Sequence, residues 1–122
     1  MAHDSHRWTS VFYAAAETLA HTGVWQPGVD VYRTRTGWLV KVDLAGVLPE
    51  DVKLAIDGPC LTIRGVRRDC NVQEGCRHYS MEISYSRFER TIELPEPIEP
   101  AEVTPDFWRG FLLVRIDREE GR

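Results

Sequence analysis

No stretch of this chain is apolar over anything near the ~20 residues that a bilayer-spanning helix needs. There is also no run of five or more Lys or Arg, and with 15 basic against 19 acidic residues the net charge is −4. Both features argue against nucleic acid as the main partner. The start, Met1-Ala2-His3-Asp4-Ser5-His6-Arg7-Trp8, lacks the basic opening and apolar core of a secretory signal. Cysteine is sparse and odd in number, three in all, which suits a reducing compartment better than a disulfide framework. No phosphate-binding G-x-x-x-x-G-K-S/T loop, no G-x-S-x-G elbow and no H-E-x-x-H pair occurs. These absences predict a cytoplasmic protein that is not an enzyme, needs no cofactor and engages neither membrane nor nucleic acid.

What is present is enough for one core. At 122 residues, 43% of them apolar and 28% charged, the chain fits a single domain that buries roughly two-thirds of its unfolded surface. Residues 8–20, WTSVFYAAAETLA, read as a short helix with Trp8, Phe12, Ala15, Ala16 and Leu19 along one stripe. A helix of that length is marginal alone. It must dock, either on its own domain or on other subunits and apolar clients through Trp8, Phe12 and Leu19. Gly23, Pro27 and Gly28 separate this arm (1–24) from the body.

From Val29 the pattern has a period of two. Val29 and Val31 open one strand; Trp38, Val40, Val42 and Leu44 alternate with Leu39, Lys41 and Asp43 in the next. Val52, Leu54 and Ile56 alternate up to the Asp57-Gly58-Pro59 turn, and Leu61 and Ile63 return toward Gly65. Cys60 opens that return strand and is expected to be buried packing. Short alternating strands with no long helical insert predict an all-β, immunoglobulin-like antiparallel β-sandwich over residues 25–117.

Residues 67–80 are polar and too long for a tight hairpin. Beyond them Met81, Ile83 and Tyr85 put apolar groups on odd positions, whereas Phe88, Ile92 and Leu94 put them on even ones. A one-residue slip reverses the faces, so a break is expected at Ser86-Arg87. Arg90 then shares the apolar face and needs a carboxylate or carbonyl partner, or else its stem snorkels to an edge. Pro95, Pro97, Pro100 and Pro105 argue against regular structure before the last strand, read as the run Phe107–Ile116. In that strand Leu112, Val114 and Ile116 form one face, while Phe111 and Leu113 make the other apolar too. Such a strand closes the sandwich and helps form a groove for an apolar partner. Cys70, Cys76 and His78 cluster in the long loop, but C-x5-C-x-H is not a common metal spacing and a fourth ligand is missing, so no metal is expected. An exposed Cys70 or Cys76 remains open to oxidation across a dimer.

Over about residues 25–116 the chain resembles the α-crystallin domain of small heat-shock proteins, bacterial and plant type. VDVYRTRTGWLVKVDLAGVLPEDVKLAIDGPCLTIRGVR resembles the family's first strands, with the L-T-I-x-G-x-R ending. SRFERTIELP is similar to G-x-F-x-R-x-x-x-L-P, and PDFWRGFLLV to A-x-x-x-n-G-x-L. Ser86 stands where that pattern has Gly, Arg109 where it has Asn, Pro105 where it has Ala, Ala45 where it has Pro and Val66 where it has Glu. Residues 118–122 carry no match to the family's I-x-I tail motif. The resemblance implies an ATP-independent holdase that binds partly unfolded proteins through apolar grooves and the N-terminal arm, the groove being lined by Val52, Leu54, Ile56, Phe111, Leu113 and Val114. It also implies a homodimer, with possible small oligomers, made by exchange of a strand in the long loop. Arg77, His78, Tyr79 and Ser80 would form that strand's core, and Arg90 would be an interface arginine. Two other readings stand beside it. One is a co-chaperone adaptor of CS-domain type with one dedicated folded partner; the other is a subunit that co-assembles with a tailed relative.

Overall fold

The computed structural model describes residues 23–69 and 73–118. The helix expected over residues 8–20, the arm contacts Trp8, Phe12 and Leu19, and Cys70 lie outside them. Among the described residues the chain forms seven strands: β1 (Val29–Arg33), β2 (Gly37–Asp43), β3 (Val52–Asp57), β4 (Cys60–Arg67), β5 (Ser86–Glu93), β6 (Glu102–Trp108) and β7 (Phe111–Asp117). All pair antiparallel, in a four-stranded sheet ordered β1-β2-β7-β6 and a three-stranded sheet ordered β3-β4-β5. This is the two-layer all-β sandwich that the alternation predicts, with a single 3₁₀ turn, Pro49–Asp51, carrying the chain from one sheet to the other.

The alternation survives in the packing. Val40 and Val42 of β2, Leu61 and Ile63 of β4, Phe88 and Ile92 of β5, and Leu112, Val114 and Ile116 of β7 are the buried core. Ile98, in the link between the sheets, is also fully buried, and its N–H donates to the Gly58 carbonyl at 3.0 Å. The register slip falls where parity places it: β5 begins at Ser86, whose φ is +72°, and residues 81–85 join no ladder. A serine in the left-handed region is strained by its Cβ, and glycine is not. Ser86→Gly is therefore expected to stabilise the domain by about 0.5–1 kcal/mol, read as a melting temperature a few degrees higher.

Three expectations are corrected. The run Phe107–Ile116 is not one strand. It is the end of β6 and most of β7, joined at Arg109-Gly110, with Trp108 paired to Phe111. Both turn residues have positive φ, +53° and +85°. This is the pattern of a two-residue type I′ hairpin, which the twist of paired strands favours. The prolines also fail to exclude structure, since Pro105 lies inside β6 opposite Val114. β6 is an edge strand, so a residue with no N–H costs no ladder bond when that side faces outward. In addition, Cys60 does open β4, but it is half-buried and, by alternation with Leu61 and Ile63, points away from the core.

Candidate functional site: strand edges, a groove and an extended loop

The site follows from which edges lie side by side. Trp25 bridges Phe88 in parallel on the free edge of β5: its N–H donates to the Arg87 carbonyl at 3.2 Å, and its carbonyl accepts from Glu89 N–H at 3.1 Å. A few residues later the same segment is β1, with Asp43 N–H donating to the Gly28 carbonyl at 3.0 Å. The β5 and β1 edges therefore share one side of the sandwich. The β3 and β6 edges share the other, which the chain reaches by passing the Gly58-Pro59 turn, where Leu94 N–H donates to the Pro59 carbonyl at 2.8 Å.

On the β3/β6 side, Val52, Leu54 and Ile56 of β3 and Val103 and Phe107 of β6 are half-buried, packed on the core yet not sealed. Val52, Leu54 and Ile56 are three of the six residues expected to line a groove. Val114 is 0% exposed within the core. Phe111 and Leu113 lie on the outward face of an interior strand, opposite Asp43 and Lys41 in register. There Phe111 stacks on Trp108 (6.4 Å, 27°), and the Lys41 ammonium lies 5.0 Å from the Phe111 ring and 5.5 Å from that of Tyr32. A hydrogen bond with Tyr32 holds the Lys41 ammonium above the usual lysine pKa. Hence three of the six predicted residues line the β3 edge and three do not. The residues missed were those of β6, hidden by Pro105, although Val103 and Phe107 alternate about it.

On the β1/β5 side, β1 has no neighbour on its outer edge among the described residues. Val31 faces the same way as buried Val40 but remains 41% exposed, because four strands stand over three and β1 overhangs. The long loop is exposed as well. Arg77, His78, Tyr79 and Ser80 are all exposed, and so are Met81 and Ile83, with Tyr79 fully so at 101%. Tyr79, Met81 and Ile83 alternate as a strand would, yet no ladder holds them. His78 Nε2 lies 3.2 Å from Asp69 Oδ2. Cys76 is an exposed free thiol, and among the described residues no group of three His, Cys, Asp or Glu is placed to hold a metal ion.

Arginines tie the loop ends to the body. Arg67 donates to the Ser84 carbonyl (2.9 and 2.7 Å) and the Ala45 carbonyl (3.0 Å), and its guanidinium lies 4.4 Å from the Trp25 ring and 5.7 Å from that of Tyr85. Sequence reasoning met Arg67 only as the end of a motif, because its partners are backbone carbonyls that no pattern of residue types reveals. Arg68 forms a two-pronged pair with Asp51 at 2.8 and 2.9 Å, whose hydrogen bonding holds the Asp51 carboxyl below the ordinary carboxylate pKa. Arg90 meets its need with a carbonyl of the same chain: Nη1 donates to Pro27 O at 2.9 Å. That bond fastens β5 to the segment entering β1.

Among the described residues no helix is long and apolar enough to cross a membrane. Comparison with known proteins agrees with the architecture. The chain is 29% identical over 94 residues to small heat shock protein C2 of Rickettsia felis, covering 77% of this chain and 61% of that protein. It is 33% identical over 101 residues to heat shock protein 16 of Schizosaccharomyces pombe, covering 80% and 70%. The crystal structure of hspA from Xanthomonas axonopodis superposes with a TM-score of 0.65 at 28% identity, over 79% of this chain and 96% of that one. The chain thus spans about three-fifths of the length of the Rickettsia relative. The Hsp20/alpha crystallin family model matches residues 30–122. With that match laid over the seven-stranded sandwich, the chain belongs to the Hsp20/alpha crystallin family of small heat-shock proteins.

Proposed function

We propose that the protein is an ATP-independent holdase, acting in the cytoplasm as a dimer that binds partly unfolded proteins. The observation that carries this reading is apolar surface left open on a rigid scaffold: the half-buried β3/β6 groove and the alternating, unladdered Tyr79, Met81 and Ile83. A holdase needs surface that binds exposed apolar segments in the unfolded state and so withdraws them from aggregation. Val52, Leu54, Ile56, Val103 and Phe107 fit an extended apolar segment laid between two strand edges. The residues 1–24 arm, through Trp8, Phe12 and Leu19, would add to that surface. Free thiols at Cys60 and Cys76 accord with a reducing compartment.

The dimer follows from two needs that complete each other. Among the described residues the β1 edge has no partner strand, and residues 77–83 carry alternating exposed apolar side chains without a ladder. Strand addition between two copies satisfies both. Arg90 acts in this scheme as the clamp between β5 and the approach to β1, rather than by reaching across.

The test is light scattering of a heat-aggregating model protein, without ATP, together with native mass. Suppression at near-stoichiometric amounts by a dimer is expected; no suppression of several unrelated clients, with tight binding of one folded partner, would favour the adaptor reading. Leu54→Asp with Phe107→Asp is expected to cut the suppression several-fold while the dimer mass persists, because a carboxylate at each wall must be desolvated when a client binds. Unchanged suppression would remove the groove from the mechanism.

A further inference from the structure

Where β4 and β5 part, one side chain takes over from the ladder. Arg67 and Ser86 are the last register pair, and the φ of +72° at Ser86 turns the chain out of the sheet. Beyond them Ser84 and Tyr85 belong to no strand. The Ser84 carbonyl is nevertheless held twice, accepting from Arg67 Nε at 2.9 Å and Nη2 at 2.7 Å, while Nη1 donates to the Ala45 carbonyl at 3.0 Å. All three guanidinium nitrogens are therefore in use, on two carbonyls from separate segments. Rings brace the group as well, with Trp25 at 4.4 Å and Tyr85 at 5.7 Å. Trp25 is itself fixed, its indole N–H donating to the Ser86 carbonyl at 3.3 Å. Lysine cannot reproduce this arrangement, because it has one nitrogen, no rigid fork and no flat face to lie against a ring.

The point so held matters for its neighbour in sequence. Ser84 follows Ile83, the last of the alternating exposed side chains Tyr79, Met81 and Ile83. That segment is thus joined to the body directly beyond its end, and its line of departure is set before any partner arrives. The bonds to Ser84 and Ala45 lie at exposed positions, so water takes the place of the guanidinium there at little cost to the fold. Water does not replace the direction. With the base loose, Ser84 and Tyr85 must be ordered anew each time two copies join, which weakens association roughly five- to thirtyfold per residue. We propose that Arg67 is the positioning residue of the exchange segment, maintaining dimer affinity by fixing the Ser84-Tyr85 base while contributing little to the stability of the domain. The inference rests on the strand-exchange dimer proposed above.

Sedimentation of the full-length chain across a dilution series tests it, with a thermal melt beside each measurement. Arg67→Lys should raise the dimer dissociation constant roughly ten- to a hundredfold while the melting temperature falls by less than about five degrees. Arg68→Lys, which keeps a cation against the Asp51 carboxylate, should raise it less than about threefold. Backbone order parameters give a second readout, taken on a chain with Tyr79, Met81 and Ile83 all replaced by serine. Adding Arg67→Lys to that chain should lower the values at Ser84 and Tyr85 from about 0.8 to below about 0.6. An unchanged dissociation constant, equal effects of the two lysine substitutions, unchanged order parameters, or a melting temperature lower by more than about five degrees would each overturn the assignment. Failure of strand exchange itself reads differently: the triple-serine chain would keep the parental dimer affinity with arginine still at position 67.

Discussion

Gly65→Ala should cost the domain about 3 kcal/mol or more and lower its melting temperature by ten degrees or more, although the substitution adds one methyl group. Gly65 is the central member of the row Val52-Gly65-Phe88 across the three-stranded sheet. A Cβ there would run into the backbone carbonyl oxygen of Asp51 and come within 2.9 Å of Phe88 Cζ. The first obstacle is the last residue of the 3₁₀ turn that links the sheets, and its companion side chain is pinned to Arg68. The second is the largest fully buried side chain of the core. Because the stiffer clash is with backbone, trimming the ring does not cure it. Phe88→Leu on the Gly65→Ala background should recover under about 1 kcal/mol in a double-mutant cycle followed by urea unfolding. Phe88→Ala alone should lose about 3–5 kcal/mol, the usual cost of emptying an aromatic site in a closed core. A Gly65→Ala protein that melts with the parent would mean that the Asp51 turn gives way.

The largest functional effect is expected in the long loop. Replacing Tyr79, Met81 and Ile83 together by serine should convert the dimer to monomer, with the dissociation constant rising at least about a thousandfold. Each apolar side chain buried at an exchanged strand contributes about 1.5–3 kcal/mol, so the three together exceed the roughly 4 kcal/mol that this factor requires. The monomer's own melting should barely change, since none of the three belongs to the core cluster. Sedimentation across a dilution series reads the first effect and a thermal melt the second. A dimer that persists with parental affinity would show that strand exchange through this segment is not what joins the copies.

Much of this could be read from residue order, and the reasons differ from part to part. The period-two alternation of Val40 and Val42, Leu61 and Ile63, and Phe88 and Ile92 shows which side chains share a face before any partner strand is known. The slip between Tyr85 and Phe88 similarly announces the break that Ser86 makes at φ +72°. Arg90 announced its need for an acceptor, but not that the acceptor would be the Pro27 carbonyl. Backbone atoms carry no residue type. For the same reason the hub formed by Arg67 with Ser84 and Ala45 had no sequence signature.

The chain order of residues by itself determined the faces, the two-sheet class and the family. Sheet order came only with the tertiary structure. β7, last in sequence, lies between β2 and β6, so Val114 is sealed in the core and the open wall belongs to β6, where a proline is harmless at an edge. Alternation is a property of one strand, whereas a groove is a property of two edges that meet only when distant segments pack. Which edges meet is decided by crossings such as Trp25 on Phe88 and Ile98 on Gly58, set by contacts far apart in the chain.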